Sequence, residues 1–170
     1  MSMCHKAYIL DYASFSDELL PILEHALGSN DVTGLMAFVD AQREHLTLPW
    51  EATPLAASWR EELERGDVQE VGDLALTKYY DADDDCGVQE HWGAVDERLA
   101  PNAREALLGE PLGAGGAIFD PGRMGSYFQG PEAVRQSARI LQGLPLSELM
   151  SFNELLSRAA AGGKGLYVTF

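Results

Sequence analysis

A mostly helical α+β fold with a small sheet is what three observations predict for this 170-residue chain. Apolar residues recur at helical spacing through most of its length. The two ends instead carry short apolar segments of strand character, Lys6–Leu10 and the alternating Leu166, Val168 and Phe170. Between them, residues 109–130 hold seven glycines and two prolines around Ala117-Ile118-Phe119 and Tyr127-Phe128, a pattern of short strands and turns. The length suits one domain over residues 1–170. Area scaling for 18.5 kDa gives roughly 8,000 Å² exposed when folded, enough burial for a real core.

Lys6–Leu10 predicts an opening strand. Phe15, Leu19, Ile22, Leu23 and Ala26 then predict a helix capped by Ser14 or Ser16, its regular part starting near Pro21, because proline is tolerated only in the first turn. Asn30 or Asp31 caps a second helix with Val32, Leu35, Met36 and Val39. Residues 46–54 are a connection. A short helix is expected around Trp59 and Leu63, ending at Gly66. Asp67 caps the next, with Val68, Val71, Leu74 and Ala75 inward. Val88, Trp92, Val95 and Leu99 form one helical stripe, and Pro101 opens a helix that stops at Gly109. Pro131 opens another, carrying Val134, Ala138 and Leu141. The last helix spans roughly residues 147–161 and breaks at Gly162-Gly163. The closing strand needs a hydrogen-bonding partner, and the opening strand is the economical one.

Net charge is −15 and lopsided: residues 1–85 carry 18 acidic and 5 basic side chains, residues 86–170 carry 9 and 7. Such a surface repels phosphate backbones, and no basic patch is present, so a nucleic-acid partner is not expected. The same field attracts a basic protein. No 18-residue stretch is free of charge, which argues against a membrane span. Met1 to Asp11 lacks the features of a secretory signal, and Cys4 and Cys86 are too few for a disulfide scaffold. A cytoplasmic protein with two free thiols is therefore expected.

Asp81, Asp83 and Asp85 occupy loop positions 1, 3 and 5, as in an EF-hand calcium loop, but the sixth position is Cys86 rather than glycine and the twelfth is Trp92 rather than glutamate. A solvated acidic loop at a helix N-terminus is the plainer expectation. Cys4, His5, Cys86 and His91 lack zinc-site spacing, and His91 is expected to be a partly buried, hydrogen-bonded histidine beside the apolar stripe. Gly113-Ala114-Gly115-Gly116 lacks a phosphate-loop signature. Arg123 and Tyr127, projecting from the turn at Asp120-Pro121-Gly122, could line a small ligand cleft. No resident metal or cofactor is implied.

The order Trp92, Leu107-Leu108-Gly109, Gly125-Ser126-Tyr127-Phe128, Pro131-Glu132, Val134 and Ala159-Ala160, with Met1-Ser2-Met3 ahead of the opening strand, resembles the YfbM-like family of bacterial domains of unknown function. The resemblance covers about the last 80 residues. It implies an α+β cytoplasmic bacterial domain without assigned catalytic residues.

These observations favour a non-enzymatic binding protein for a basic partner, with an immunity-type subunit as one form of it. The alternative is a small metal-dependent hydrolase using Asp83, Asp85 and His91, with Arg123. A homodimer through exposed apolar surface at Tyr79 and Tyr80 is a third expectation.

Overall fold

The computed structural model describes residues 3–170. Met1 and Ser2, which contribute to the family resemblance, lie outside the described residues. Three strands make the main sheet: β1 (Lys6–Leu10), β4 (Ser126–Gln129) and β5 (Gly165–Thr169). Their order is β1-β5-β4, all antiparallel, with Tyr8 opposite Tyr167 and Phe128 opposite Tyr167 on the other side. The closing strand thus pairs with the opening strand as its composition requires, and it is the central strand of the sheet. Residues 165–168 are buried throughout, so the strand reads as a near-continuous apolar run.

Alternation along these strands feeds two hydrophobic clusters, one on each face. Tyr8, Leu10, Phe128 and Tyr167 point to the cluster built by the first half of the chain. That side comprises α1 (Tyr12–Ser14), a π-helical turn (Phe15–Leu19), α2 (Leu20–Ser29), α3 (Thr33–Gln42) and α4 (Val68–Leu76). Ala7, Leu166 and Val168 point to the second cluster, with α5 (Trp92–Asp96), α6 (Pro101–Leu108), α7 (Pro131–Leu141) and α8 (Met150–Ala161). A two-residue hairpin, β2 (Gly113–Ala114) with β3 (Ala117–Ile118), turns through Gly115 and Gly116, both at positive φ. Total exposed area is 8599 Å², close to the value expected from mass.

Several elements differ from the sequence expectation. Helical structure begins at Tyr12, ahead of the expected caps Ser14 and Ser16, although the regular helix α2 does start at Leu20 with Pro21 in its first turn. Proline has no N–H to bond back to Asp17, and the chain widens into the π-helical turn just before it. The helix around Trp59 and Leu63 is only a 3₁₀ turn, Trp59–Glu62, after which Leu63 is extended. The stripe from Val88 to Leu99 is not one helix. Gln89 has φ +56° and pairs with His5 as an isolated bridge, so α5 starts only at Trp92. Val88, Trp92 and Val95 are nonetheless buried together. Tyr79 and Tyr80 are buried, 4% and 9% exposed, and offer no surface for a homodimer. Asp67 does cap α4, its side chain accepting from the Glu70 N–H at 2.9 Å.

Candidate functional site

The acidic loop that suggested metal ligation is engaged in holding the sheet edge. The Asp85 carboxylate accepts from the backbone N–H of Ala7 at 3.0 Å, the N–H of Gly87 at 2.9 Å and Gln89 Nε2 at 2.9 Å. It occupies a position that a neighbouring strand would fill on the outer side of β1. Asp81 Oδ1 accepts from the Asp83 N–H, closing a local turn. Asp84 pairs with Arg158 at 3.1 Å. His91 is exposed rather than partly buried, because it precedes the short α5 instead of lying along its inner face. The buried histidine is His5. Its Nδ1 accepts from the Val88 N–H at 3.2 Å, its Nε2 faces the Leu107 carbonyl at 3.1 Å, and its ring stacks on Trp92 at 5.1 Å. Burial holds its pKa below the ordinary histidine value, against the raising effects of Leu107 and Asp85. Among the described residues, no group of three or more His, Cys, Asp or Glu could hold a metal ion.

Arg123 and Tyr127 part company. Tyr127 packs in the second cluster, edge-on to Phe170, whereas Arg123 lines a cleft on the first-half side. That cleft encloses about 590 Å³. Its floor is α4, one wall is the 3₁₀ turn at Trp59, and the other is the turn through Pro121 and Arg123. An excursion closed by the Thr47–Pro54 bridge and by the Leu48 N–H bonding to the Thr53 carbonyl at 2.8 Å forms its lip. Trp50 sits at the tip of that excursion, 67% exposed.

Local sequence explains how each wall is held. Gln69 and Asp73 are four apart on α4 and so share a face. Gln69 Nε2 donates to the Ile118 carbonyl at 2.8 Å, and its Oε1 accepts from the Asp120 N–H at 2.7 Å, which pins the chain leading into the Arg123 turn. Arg123 itself takes φ +60° and closes back on the Asp120 carbonyl at 3.1 Å. Across the cleft, both oxygens of Glu70 accept backbone N–H groups, those of Glu64, Arg65 and Gly66, at 2.7–2.8 Å. Burial pushes the Glu70 carboxyl up, but these three donors more than offset it, leaving its pKa below the ordinary value. Trp59 donates Nε1–H to Asp40 at 3.1 Å, and the same carboxylate holds Arg60, whose guanidinium lies over the Trp59 ring at 5.3 Å.

Asp73 stands apart in this setting. It makes no hydrogen bond or ion pair among the described residues, and desolvation pushes its pKa up to about 7, with only the charge of Arg65 pulling it down. An unpartnered carboxyl in a cleft is the feature that marks a functional position. Sequence reasoning missed it, since Asp73 sits between Val71 and Leu74 as any polar helix residue would. Residues of the 46–65 excursion line the cleft beside it, and the buried tyrosines Tyr8, Tyr80 and Tyr167 lie near enough to feel its charge.

A larger hollow of about 760 Å³ lies between α6, α7 and β4. Its buried polar groups satisfy one another: Gln129 Nε2 donates to the Ala106 carbonyl at 2.8 Å, and Ser137 donates to Gln129 Oε1 at 2.7 Å. The Asp73 cleft is therefore the stronger candidate. No helix among the described residues is long and apolar enough to cross a membrane. No family model, curated protein or solved structure matches the chain.

Proposed function

We propose that this protein is an acidic binding module that receives a basic protein partner in the manner of an immunity-type subunit, without catalysing a reaction. One observation carries the reading: folding leaves most of the first-half charge unmatched. Of the 18 carboxylates in residues 1–85, five meet a lysine or arginine among the described residues: Asp11, Glu18, Asp40, Asp67 and Asp84. Two of those five partners, Lys164 and Arg158, come from the second half. A field of this kind speeds the encounter with a basic surface and weakens over a Debye length of about 8 Å at physiological salt.

The reading extends to a cytoplasmic location and to a remote kinship of the second half with the YfbM-like family. The alternative of a metal-dependent hydrolase at Asp83, Asp85 and His91 has no comparable support, because Asp85 is committed to backbone donors and His91 is exposed. The immobilised full chain, exposed to native lysate at 20 mM salt and eluted with a salt gradient, tests the proposal. Basic proteins retained at low salt and released below about 300 mM are expected. Recovery of no basic protein at low salt overturns it.

A further inference from the structure

We propose that the cleft between Trp50 and Asp73 is the seat of one lysine or arginine side chain from a basic partner, an inference that rests on the function proposed above. Two features of the cleft are incomplete without a guest, and they call for the same chemistry. Asp73 presents a carboxyl with no hydrogen-bonding partner among the described residues. Trp50 presents an aromatic face with no ring or cation against it among the described residues. Trp59 is covered by Arg60, and Trp92 by His5 and Arg104. A carboxylate beneath and an open indole beside it are the two groups that recognise an alkyl cation, one by charge-assisted hydrogen bonding and one by the ring quadrupole. Leu48, Leu55, Leu63 and Leu74 supply apolar walls for the aliphatic stem of such a side chain. The volume of about 590 Å³ lies in the range of small-ligand sites.

Charge complementarity favours a cation over an anion. Glu62, Glu64, Glu70 and Asp73 line the cleft against Arg65 and Arg123. Arg65 approaches Asp67 at 3.5 Å, and the Glu70 oxygens are taken up by backbone donors. Asp73 is thus the carboxylate left to meet the guest, and Arg65 and Arg123 are the cleft charges that oppose it. A cation held by Asp73 favours its ionised form, so binding releases a proton near neutral pH.

The test uses the full chain labelled with ¹⁵N. It is titrated with an N-acetylated Gly-Arg-Gly amide and with the same peptide carrying citrulline, a neutral near-isostere of arginine. The reporter is the Trp50 indole N–H, assigned with W50F. The arginine peptide is expected to shift that signal, with affinity rising about tenfold between pH 6 and pH 8 as Asp73 ionises. Citrulline is expected to bind at least tenfold more weakly, and D73N to lose the preference while its melting temperature at pH 8 rises. R123Q is expected to bind the arginine peptide several-fold more tightly.

Equal binding of the two peptides, an unchanged affinity in D73N, or weaker binding in R123Q overturns the site. Tighter binding of n-butylammonium than of the arginine peptide overturns the polypeptide occupant. If D73N retains the lysate partner with the wild-type salt dependence, the cleft proposal falls while the wider binding function stands. Loss of that capture in the wild type is what overturns the function itself.

Discussion

Replacing Asp73 by asparagine should stabilise the protein, by an amount that grows with pH. In the unfolded chain the carboxyl titrates near 3.8, and in the folded chain near 7. An acid whose folded pKa is raised contributes no penalty below pH 3.8, where both states are protonated. Stability is lost as pH rises from there to 7, because the unfolded state ionises first, and the full penalty persists above 7. The span between the two values corresponds to about 4 kcal/mol at pH 8 and about 1.6 kcal/mol at pH 5. Partial opening of Asp73 to solvent reduces both figures. The advantage of D73N over wild type should therefore widen by up to about 3 kcal/mol between pH 5 and pH 8. Urea unfolding of both proteins at pH 5, 6, 7 and 8 measures it directly. Parallel stability curves would show that Asp73 ionises normally and that its isolation in the cleft is of no electrostatic consequence.

Other outcomes follow from the packing around β1. His5 is held neutral with its folded pKa depressed, so its own contribution to stability should fall as pH drops below about 6.5, the unfolded value, opposing the gain from Asp73; H5A should cost about 3 kcal/mol at pH 8 and less at pH 5, read by the same titration. A Cβ on Gly87 would lie 2.0 Å from the His5 carbonyl oxygen, so G87A should lose at least about 3 kcal/mol by thermal melting, or fail to fold; a melting temperature equal to wild type would contradict the close approach. D85A strips three donors of their acceptor and should cost about 2 kcal/mol, with faster amide exchange at Ala7, while 5 mM calcium (about fivefold above the weakest extracellular EF-hand dissociation constants) leaves the wild-type melting temperature unchanged.

What was legible in the sequence was whatever short-range pattern decides. The alternation at Leu166 and Val168 with the apolar Lys6–Leu10 led to the correct strand pairing, and Asp67 before Val68 led to the correct cap. Burial of Val88, Trp92 and Val95 was legible too, but the helix through them was not, because a left-handed turn at Gln89 leaves no periodic trace. Functional positions were harder. The carboxylates of residues 81–85 resemble ion ligands in spacing, yet Asp85 serves backbone groups 78 positions away and two positions away alike. Arg123 lies on its turn and lines the Trp50 cleft, whereas Tyr127 alternates to the far face of β4. Asp73 and His5 owe their character to neighbours distant along the chain, and composition carries no sign of that.

The position of β5 between β1 and β4 has a kinetic corollary. Leu10 meets Gly165 across 155 intervening peptide steps, a closure whose entropic cost must be met before any ladder bond rewards it. Tyr167 from the second half completes the cluster of the first, and Ala7 from the first completes that of the second. Neither half can therefore finish its interior alone, and refolding should be slow and all-or-none, its rate-limiting barrier set by the docking of one strand in the middle of the sheet.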